Sequence, residues 1–197
     1  MTLLKPLTAA LASLAIAPAA WAEKLPLNTI SDYLNSLTTA QATITQINDD
    51  GSVNTGRVLI KRPGRMRFEY DDPNAALVLA SNRAVYIVDP RSNQLPETYP
   101  LNRTPLSVIL ARNVDLEQAN MVVGHDFDGT ATIVTAQDPK NPEYGNIQMK
   151  FTGNPVELRQ WVVNDSGGGS TTVVLGGLET GANLPNRLFR PPEIDRN

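Results

Sequence analysis

A period-two alternation of apolar and polar residues constrains this chain more than any other feature. From Gln41 onward the alternating runs are separated by turn signals about every 8–12 residues, which is typical of antiparallel strands joined by short loops. The runs are ATITQI, GRVLIKR, RMRFEY, AALVLA and AVYIVD, then segments at about 120–127, 130–136, 146–151, 156–163 and 170–176. The pattern predicts a meander of about nine or ten strands, apolar on one face only.

Two segments have helical rather than alternating periodicity. The first places its apolar residues at Leu27, Ile30, Leu34 and Leu37 and has Asn28 as a candidate N-cap. The second, TPLSVILAR, interrupts the meander, with Thr104 as candidate N-cap and Pro105 at the first helical position. Its apolar face consists of Leu106, Ile109 and Leu110. Because a long meander must close or bury its edges, we expect a mainly β fold: a curled antiparallel sheet with a helical lid.

The first 22 residues have the layout of a secretory signal peptide. A short basic start with Lys5 precedes an apolar stretch that ends in Ala20-Trp21-Ala22, an A-x-A cleavage site. We expect cleavage after Ala22 and one exported mature domain over residues 23–197. No later stretch is apolar for long enough to predict a membrane span.

Composition excludes several classes of protein. The sequence has no cysteine, so an exported fold must be held by its core. Loss of Lys5 with the leader leaves 16 basic against 20 acidic residues. A net charge near −4 gives no general attraction to nucleic acid. A monomer is the default expectation, because no long exposed apolar stripe is evident.

The sequence shows no recognisable catalytic or metal-binding motif. His125 is the only histidine, no carboxylates stand at ligand spacing from it, and no serine lies in a G-x-S-x-G elbow. The HDFDGT segment resembles the start of a calcium loop but lacks its last ligand, so a β-turn is favoured. The SGGGS run lacks the lysine of a phosphate loop and predicts a hairpin loop. The sequence therefore predicts a binding protein without cofactor or metal, not an enzyme.

The segment RVLIKRPGRMRFEY, residues 57–70, predicts two strands that turn at Pro63-Gly64. The residues of one parity are expected to face inward: Val58, Ile60, Met66, Phe68 and Tyr70. Arg62 has the same parity and should therefore point inward too. The other basic residues have the opposite parity and are expected in solvent: Arg57, Lys61, Arg65 and Arg67. Alternatively, Arg62 ends its strand and extends its head group outward.

These features together resemble the periplasmic outer-membrane lipoprotein carrier proteins, the LolA family. The resemblance runs over nearly the whole mature chain and depends on TITQ, the 57–70 segment, DDP, VYIVDP, TPLSVILAR and a final LFRPPE. It implies an incomplete β-barrel with a helical lid over a hydrophobic cavity. The expected cargo is a triacylated lipoprotein, released by an inner-membrane ABC transporter and passed to an outer-membrane acceptor.

The resemblance also assigns roles to residues. It places Met66 in the cavity lining. By their shared parity, Val58, Ile60, Phe68 and Tyr70 are expected to line the cavity with it, and the helix with Leu106, Ile109 and Leu110 is expected to form the lid. Arg62 corresponds to the family's functional arginine, which holds the lid closed when the cavity is empty. The usual Asp-Gly turn is replaced by Ser81-Asn82-Arg83, and the first strand carries Ala42 and Ile44 instead of aromatics. A carrier of another lipid, a lipid sensor that binds a signalling protein, and an exported hydrolase are the alternatives, the last disfavoured by the missing catalytic residues.

Overall fold

A computed structural model of the protein describes residues 23–117 and 120–192. The predicted signal peptide lies outside these residues. In the described part, eleven strands form one antiparallel sheet. The strands are β1 Thr39–Ile47, β2 Val53–Lys61, β3 Arg65–Tyr70, β4 Leu77–Ser81, β5 Ala84–Val88, β6 Glu97–Pro100, β7 Val122–Phe127, β8 Thr132–Gln137, β9 Gly145–Thr152, β10 Glu157–Asp165 and β11 Ser170–Thr180.

The sheet curls without closing. Its order is β6-β5-β4-β3-β2-β1-β11-β10-β9-β8-β7, so the first and last strands pair in the middle while β6 and β7 remain as separate edges. This confirms the predicted incomplete barrel. The strand missed by the sequence patterns is β6, whose four residues are all exposed and so show no alternation of burial.

Two helices accompany the sheet, α1 Leu27–Ser36 and α2 Leu106–Leu110. Both predicted N-caps are wrong. Helix α1 begins directly after Pro26, so Asn28 lies inside its first turn. The hydroxyl of Thr104 donates backwards to the Leu101 carbonyl oxygen instead of capping α2. Pro105 is itself the N-cap, so α2 begins one residue later than predicted. Within the described ranges, no helix has the length and hydropathy needed to span a membrane.

One large apolar core lies between the helices and the inner face of the sheet. It joins side chains of both helices to side chains of β1–β5 and β8–β11. Aromatic rings in this core meet edge to face: Phe68 with Trp161, and Tyr33 of α1 with Phe151, at centroid distances of 6.3 and 6.0 Å. Such geometry is preferred by ring quadrupoles and adds to the stabilisation from burial.

Local irregularities shape the curled sheet. The register of β10 against β9 shifts between Leu158 and Gln160, so that Leu158 and Trp161 both reach the core although they are three residues apart. In β2, a Cβ at Gly56 would overlap the carbonyl oxygen of Glu69. Only glycine permits this close approach of β2 and β3.

The outer face carries a second, smaller apolar cluster covered by residues 182–190, here called the C-terminal strap. Leu59 and Leu79 of the sheet pack there against Leu184 and Phe189 of the strap. Leu59 therefore is buried although its parity points away from the main core. The sequence pattern could not reveal this, because the covering segment is irregular and distant in the chain.

The strap also corrects the prediction that the outer basic residues are merely solvated. Lys61 Nζ donates to the Leu184 carbonyl oxygen (2.6 Å) and Arg67 Nη1 to that of Leu188 (3.1 Å). Arg65 Nη1 donates to Asn186 Oδ1 at 3.0 Å. Of the four, Arg57 is the solvated one, with 61% of its side chain exposed. The positive charges thus hold carbonyl groups of the strap against the sheet.

Candidate functional site

The inner-face residues singled out in the sequence lie together in the main core. Val58, Ile60 and Met66 have no exposed surface, and Phe68 is 5% exposed. Cross-strand pairing places Val58 opposite Phe68 and Ile60 opposite Met66, which is the predicted shared parity. A side chain beside a water-sized void would retain accessible surface, so no such void adjoins Val58, Ile60 or Met66 in the structure.

Tyr70 lies at the margin of the core and keeps a polar partner there. Its hydroxyl donates to Gln46 Oε1 at 2.6 Å, and its ring stacks on Phe68 at 6.3 Å. Burial raises the pKa of Tyr70 to about 12, opposed by its hydrogen bond with Gln46. Tyr70 thus combines a largely buried apolar ring with a hydroxyl group that has a hydrogen-bond partner.

Helix α2 covers one part of the core, as its sequence predicted. Ile109 and Leu110 are buried, and Leu106 is half-buried against the same cluster. The helix has only five residues, so packing rather than intrinsic helix stability must hold it in place.

Arg62 joins the end of β2 to the end of α2. Its Nη2 donates to the carbonyl oxygen of Ala111, the residue after the helix, at 2.6 Å. The residue is 9% exposed, and its Nε has no hydrogen-bond partner among the described residues. Burial lowers the pKa of Arg62. The side chain points inward, and the alternative of an outward-extended head group is not what the structure shows.

A backbone bond lies beside this side-chain bond. The amide of Gly64, in the turn between β2 and β3, donates to the Leu110 carbonyl oxygen at 2.9 Å. The carbonyl groups of Leu110, the last residue of α2, and of Ala111, the residue after it, are thus both held by the β2–β3 turn region. Helix ends need such donors, because their final carbonyl oxygens have no donor within the helix.

The segment after α2 is fastened to α1 by polar contacts that the sequence patterns missed. Asn35 Nδ2 donates to the Val114 carbonyl oxygen (2.8 Å), and its Oδ1 accepts from the Val114 amide (2.9 Å). Buried Ser31 accepts from the Leu116 amide at 3.0 Å and donates to the Leu27 carbonyl oxygen. No sequence pattern predicts these contacts, because the partners lie about 80 residues apart and the 114–116 segment has no regular secondary structure.

The other half of the core consists of residues that the sequence patterns do not identify as site residues. Its fully buried members come from β8, β9 and β10 and include Val134, Met149, Phe151 and Trp161. The alternation in NIQMKF could have indicated Met149 and Phe151. Trp161 could not be assigned by parity, because of the register shift in β10.

The polar motifs considered in the sequence have structural partners. His125 Nε2 donates to the Leu25 carbonyl oxygen at 2.9 Å. Asp128 accepts from the amides of Thr130 and Ala131 and pairs with Lys150 (2.7 Å); the Lys150 hydrogen bond chiefly lowers the pKa of Asp128, to about 2. The predicted β-turn is therefore present. Across the described residues, no three His, Asp or Glu side chains are grouped to hold a metal.

Comparison with known proteins connects this architecture to one family. The family model described as outer membrane lipoprotein carrier protein LolA matches residues 35–192. An outer-membrane lipoprotein carrier protein of Coxiella burnetii is 26% identical over 132 residues, covering 62% of this chain and 63% of that protein. One from Azotobacter vinelandii is 23% identical, covering 96% and 94%. The chain thus spans less than two thirds of the length of the Coxiella relative.

A solved structure supports the fold. A DUF1329 family protein from Desulfovibrio piger superposes with a TM-score of 0.51 at 13% identity, covering 83% of this chain and 94% of that one. At this identity the likeness concerns the fold alone. The family description names a carrier protein and no enzymatic activity. On the match over residues 35–192, this chain belongs to the LolA family of outer membrane lipoprotein carrier proteins.

Proposed function

We propose that this protein is a periplasmic carrier that binds the acyl chains of lipoproteins released from the inner membrane and delivers them toward the outer membrane. The observation that carries the proposal is the arrangement around Arg62. The buried guanidinium of Arg62 fastens the end of α2 over a large cluster of apolar side chains. The family supports lipoprotein cargo, and its carrier proteins are periplasmic.

The physical need for such a carrier is large. One acyl chain of about 15 methylenes costs roughly 12 kcal/mol to expose to water, at about 0.8 kcal/mol per methylene. A lipid with two or three chains cannot cross an aqueous compartment uncovered. The inner face offers matching apolar surface on the strands and on both helices.

Binding requires the closed core to open. Because Val58, Ile60 and Met66 are fully buried against their neighbours, acyl chains can enter only if a covering element moves. Helix α2 is the element whose displacement we propose, since it is short and its end is held by Arg62 and Gly64. Met66 and Met149 are adaptable side chains that can repack around an inserted chain.

Arg62 then acts as the lid latch of the empty state. Its hydrogen bond to Ala111 is charge-assisted, yet the charge is poorly solvated and no described residue bonds its Nε. Because burial of the charge offsets much of the energy of this bond, cargo can displace the helix with a small change in free energy. The proposed partners are an inner-membrane lipoprotein-releasing ABC transporter, the acylated lipoproteins, and an outer-membrane acceptor.

The test is direct analysis of cargo. Protein isolated from a periplasm should contain acylated peptide by native mass spectrometry, and the purified protein should bind a triacylated peptide but not its deacylated form. Free phospholipid as the dominant bound species would instead indicate another lipid cargo.

The role of the latch is tested with Arg62→Leu, compared with Arg159→Leu on the exposed surface. We expect Arg62→Leu to change retention or release of the triacylated peptide and Arg159→Leu to leave both unchanged. Unchanged delivery by Arg62→Leu to an outer-membrane acceptor would refute the latch.

A further inference from the structure

An open cleft of about 990 Å³ lies outside the main core, between the β2–β3 turn, the β4–β5 turn and α2. Its walls include Arg65, Arg83 and Arg112, whereas no aspartate or glutamate lines it. The whole sequence is acidic, with a net charge of −3, so these cations are a local concentration and not part of a general excess. A cleft lined by one sign of charge focuses the field on ligands of the opposite sign.

The hydrogen-bond donors in this cleft are largely free. Among the described residues, the side chains of Arg83 and Arg112 have no hydrogen bond or ion pair, and both residues are exposed. Arg65 uses one nitrogen for Asn186 and retains the rest of its guanidinium. The side chains of Asn82 and Ser107 add uncharged polar groups to the same walls. Guanidinium groups are suited to bidentate contacts with phosphate oxygens.

Arg83 occupies a position that local structure disfavours. It follows Asn82 in the two-residue turn from β4 to β5, and both have positive φ, +50° and +65°. Glycine is the usual residue at the second position of such a turn, because a Cβ is strained there. An arginine held in a strained conformation at the rim of a cationic cleft points to a functional reason for its charge.

We propose that this cleft binds a phosphate ester, as present in the head group of an anionic phospholipid or in a small soluble phosphate. The inference does not depend on the nature of the acyl cargo. The cleft adjoins Gly64, Leu110 and Ala111, so a bound phosphate would lie beside the attachment of α2 to the β2–β3 turn. Binding at this cleft and the position of α2 are therefore expected to influence each other.

The experiment uses the mature protein and a double variant, Arg83→Gly with Arg112→Gln. Glycine relieves the positive-φ strain, so this change is not expected to impair folding. Arg159→Gln on β10 is the matched control, which removes one exposed positive charge elsewhere. Binding is measured by co-sedimentation with vesicles of phosphatidylglycerol and of phosphatidylcholine, and by NMR titration with inorganic phosphate and glycerol 3-phosphate.

We expect wild-type protein to bind phosphatidylglycerol vesicles in preference to phosphatidylcholine, with salt weakening the binding. Each arginine near an anionic surface contributes about fivefold, so the double variant should lose well over tenfold, whereas the control keeps most of the binding. An Arg83-dependent response to soluble phosphate without vesicle binding would identify a small phosphate ester as the ligand. Absence of any response, or an equal loss in the control, would overturn the proposal.

Discussion

Arg62 Nη2 and the carbonyl oxygen of Ala111 lie 2.6 Å apart, joining the end of β2 to the residue that follows α2. The bond is made by a side chain that is only 9% exposed, and its Nε is left without a partner in the described part of the chain. Burying a guanidinium is costly and its hydrogen bond offsets that cost only in part. The contact therefore positions α2 without contributing much net stability.

Replacing Arg62 with leucine should loosen α2 while leaving global stability within about 1 kcal/mol, because loss of the bond and loss of the desolvation cost oppose each other. The local reporter is the Gly64 amide, which donates to the Leu110 carbonyl oxygen. Its hydrogen exchange should become about five- to tenfold faster, as a loss of roughly 1 kcal/mol in local opening implies. Exchange at Gly64 that is equal in Arg62→Leu and the Arg159→Leu control would contradict the positioning role.

Replacing Ser31 with alanine should destabilise the protein by about 1–3 kcal/mol, because the Leu116 amide loses its acceptor in a buried site. Ser36→Ala is the matched control in the same helix. Ser36 is exposed and its hydroxyl bonds only within α1, to the Tyr33 carbonyl oxygen. Chemical denaturation of both variants measures the difference, and equal values would show that the contact between α1 and the 114–116 segment contributes no stability.

Arg83→Gly should raise the free energy of unfolding by about 1 kcal/mol, because the residue has a φ of +65° that glycine adopts without strain. Arg83→Ala removes the same charge but keeps the Cβ. It should therefore show little or no gain. Thermal and denaturant unfolding of the two variants separate strain from charge, and an equal gain in both would attribute the effect to charge alone.

Stability should fall as the pH rises from 10 toward 12. The folded-state pKa of Tyr70 is raised to about 12, chiefly by burial. A group with a raised folded pKa contributes stability that is complete below its unfolded pKa of about 10 and is lost as the pH passes through the folded value. The loss from Tyr70 is of order 2 kcal/mol. Denaturation across this pH range should show a shallower fall for Tyr70→Phe, and an unchanged slope would refute the assignment.

Phe189→Ala should release the C-terminal strap and destabilise the protein by about 3–5 kcal/mol, because Phe189 is 3% exposed in the outer cluster. Limited proteolysis within residues 182–190 should become faster. Leu95→Ala provides the control, since Leu95 is 67% exposed and its loss should change stability by less than about 0.5 kcal/mol. Unaltered proteolysis of the strap in Phe189→Ala would mean that other contacts hold it.

Much of the fold and of the inner face could be predicted from the chain alone. Alternation in residues 57–70 assigned Val58, Ile60, Met66 and Phe68 to one face, and the strand register confirms that shared face. It also separated Arg62 from the other basic residues. These predictions succeed because the period of a strand is a local property: successive side chains point to opposite faces of the sheet.

Other features were decided by contacts between distant segments. Leu59 is buried because the C-terminal strap covers it, and Trp161 reaches the core through a register shift in β10. Whether the interior is a cavity or a closed core depends on where α1 and α2 pack. Sequence periodicity determined which faces are apolar, whereas only the tertiary structure decided what covers them. The reason is that packing depends on contacts between segments far apart in the chain, and a local sequence pattern carries no information about those contacts.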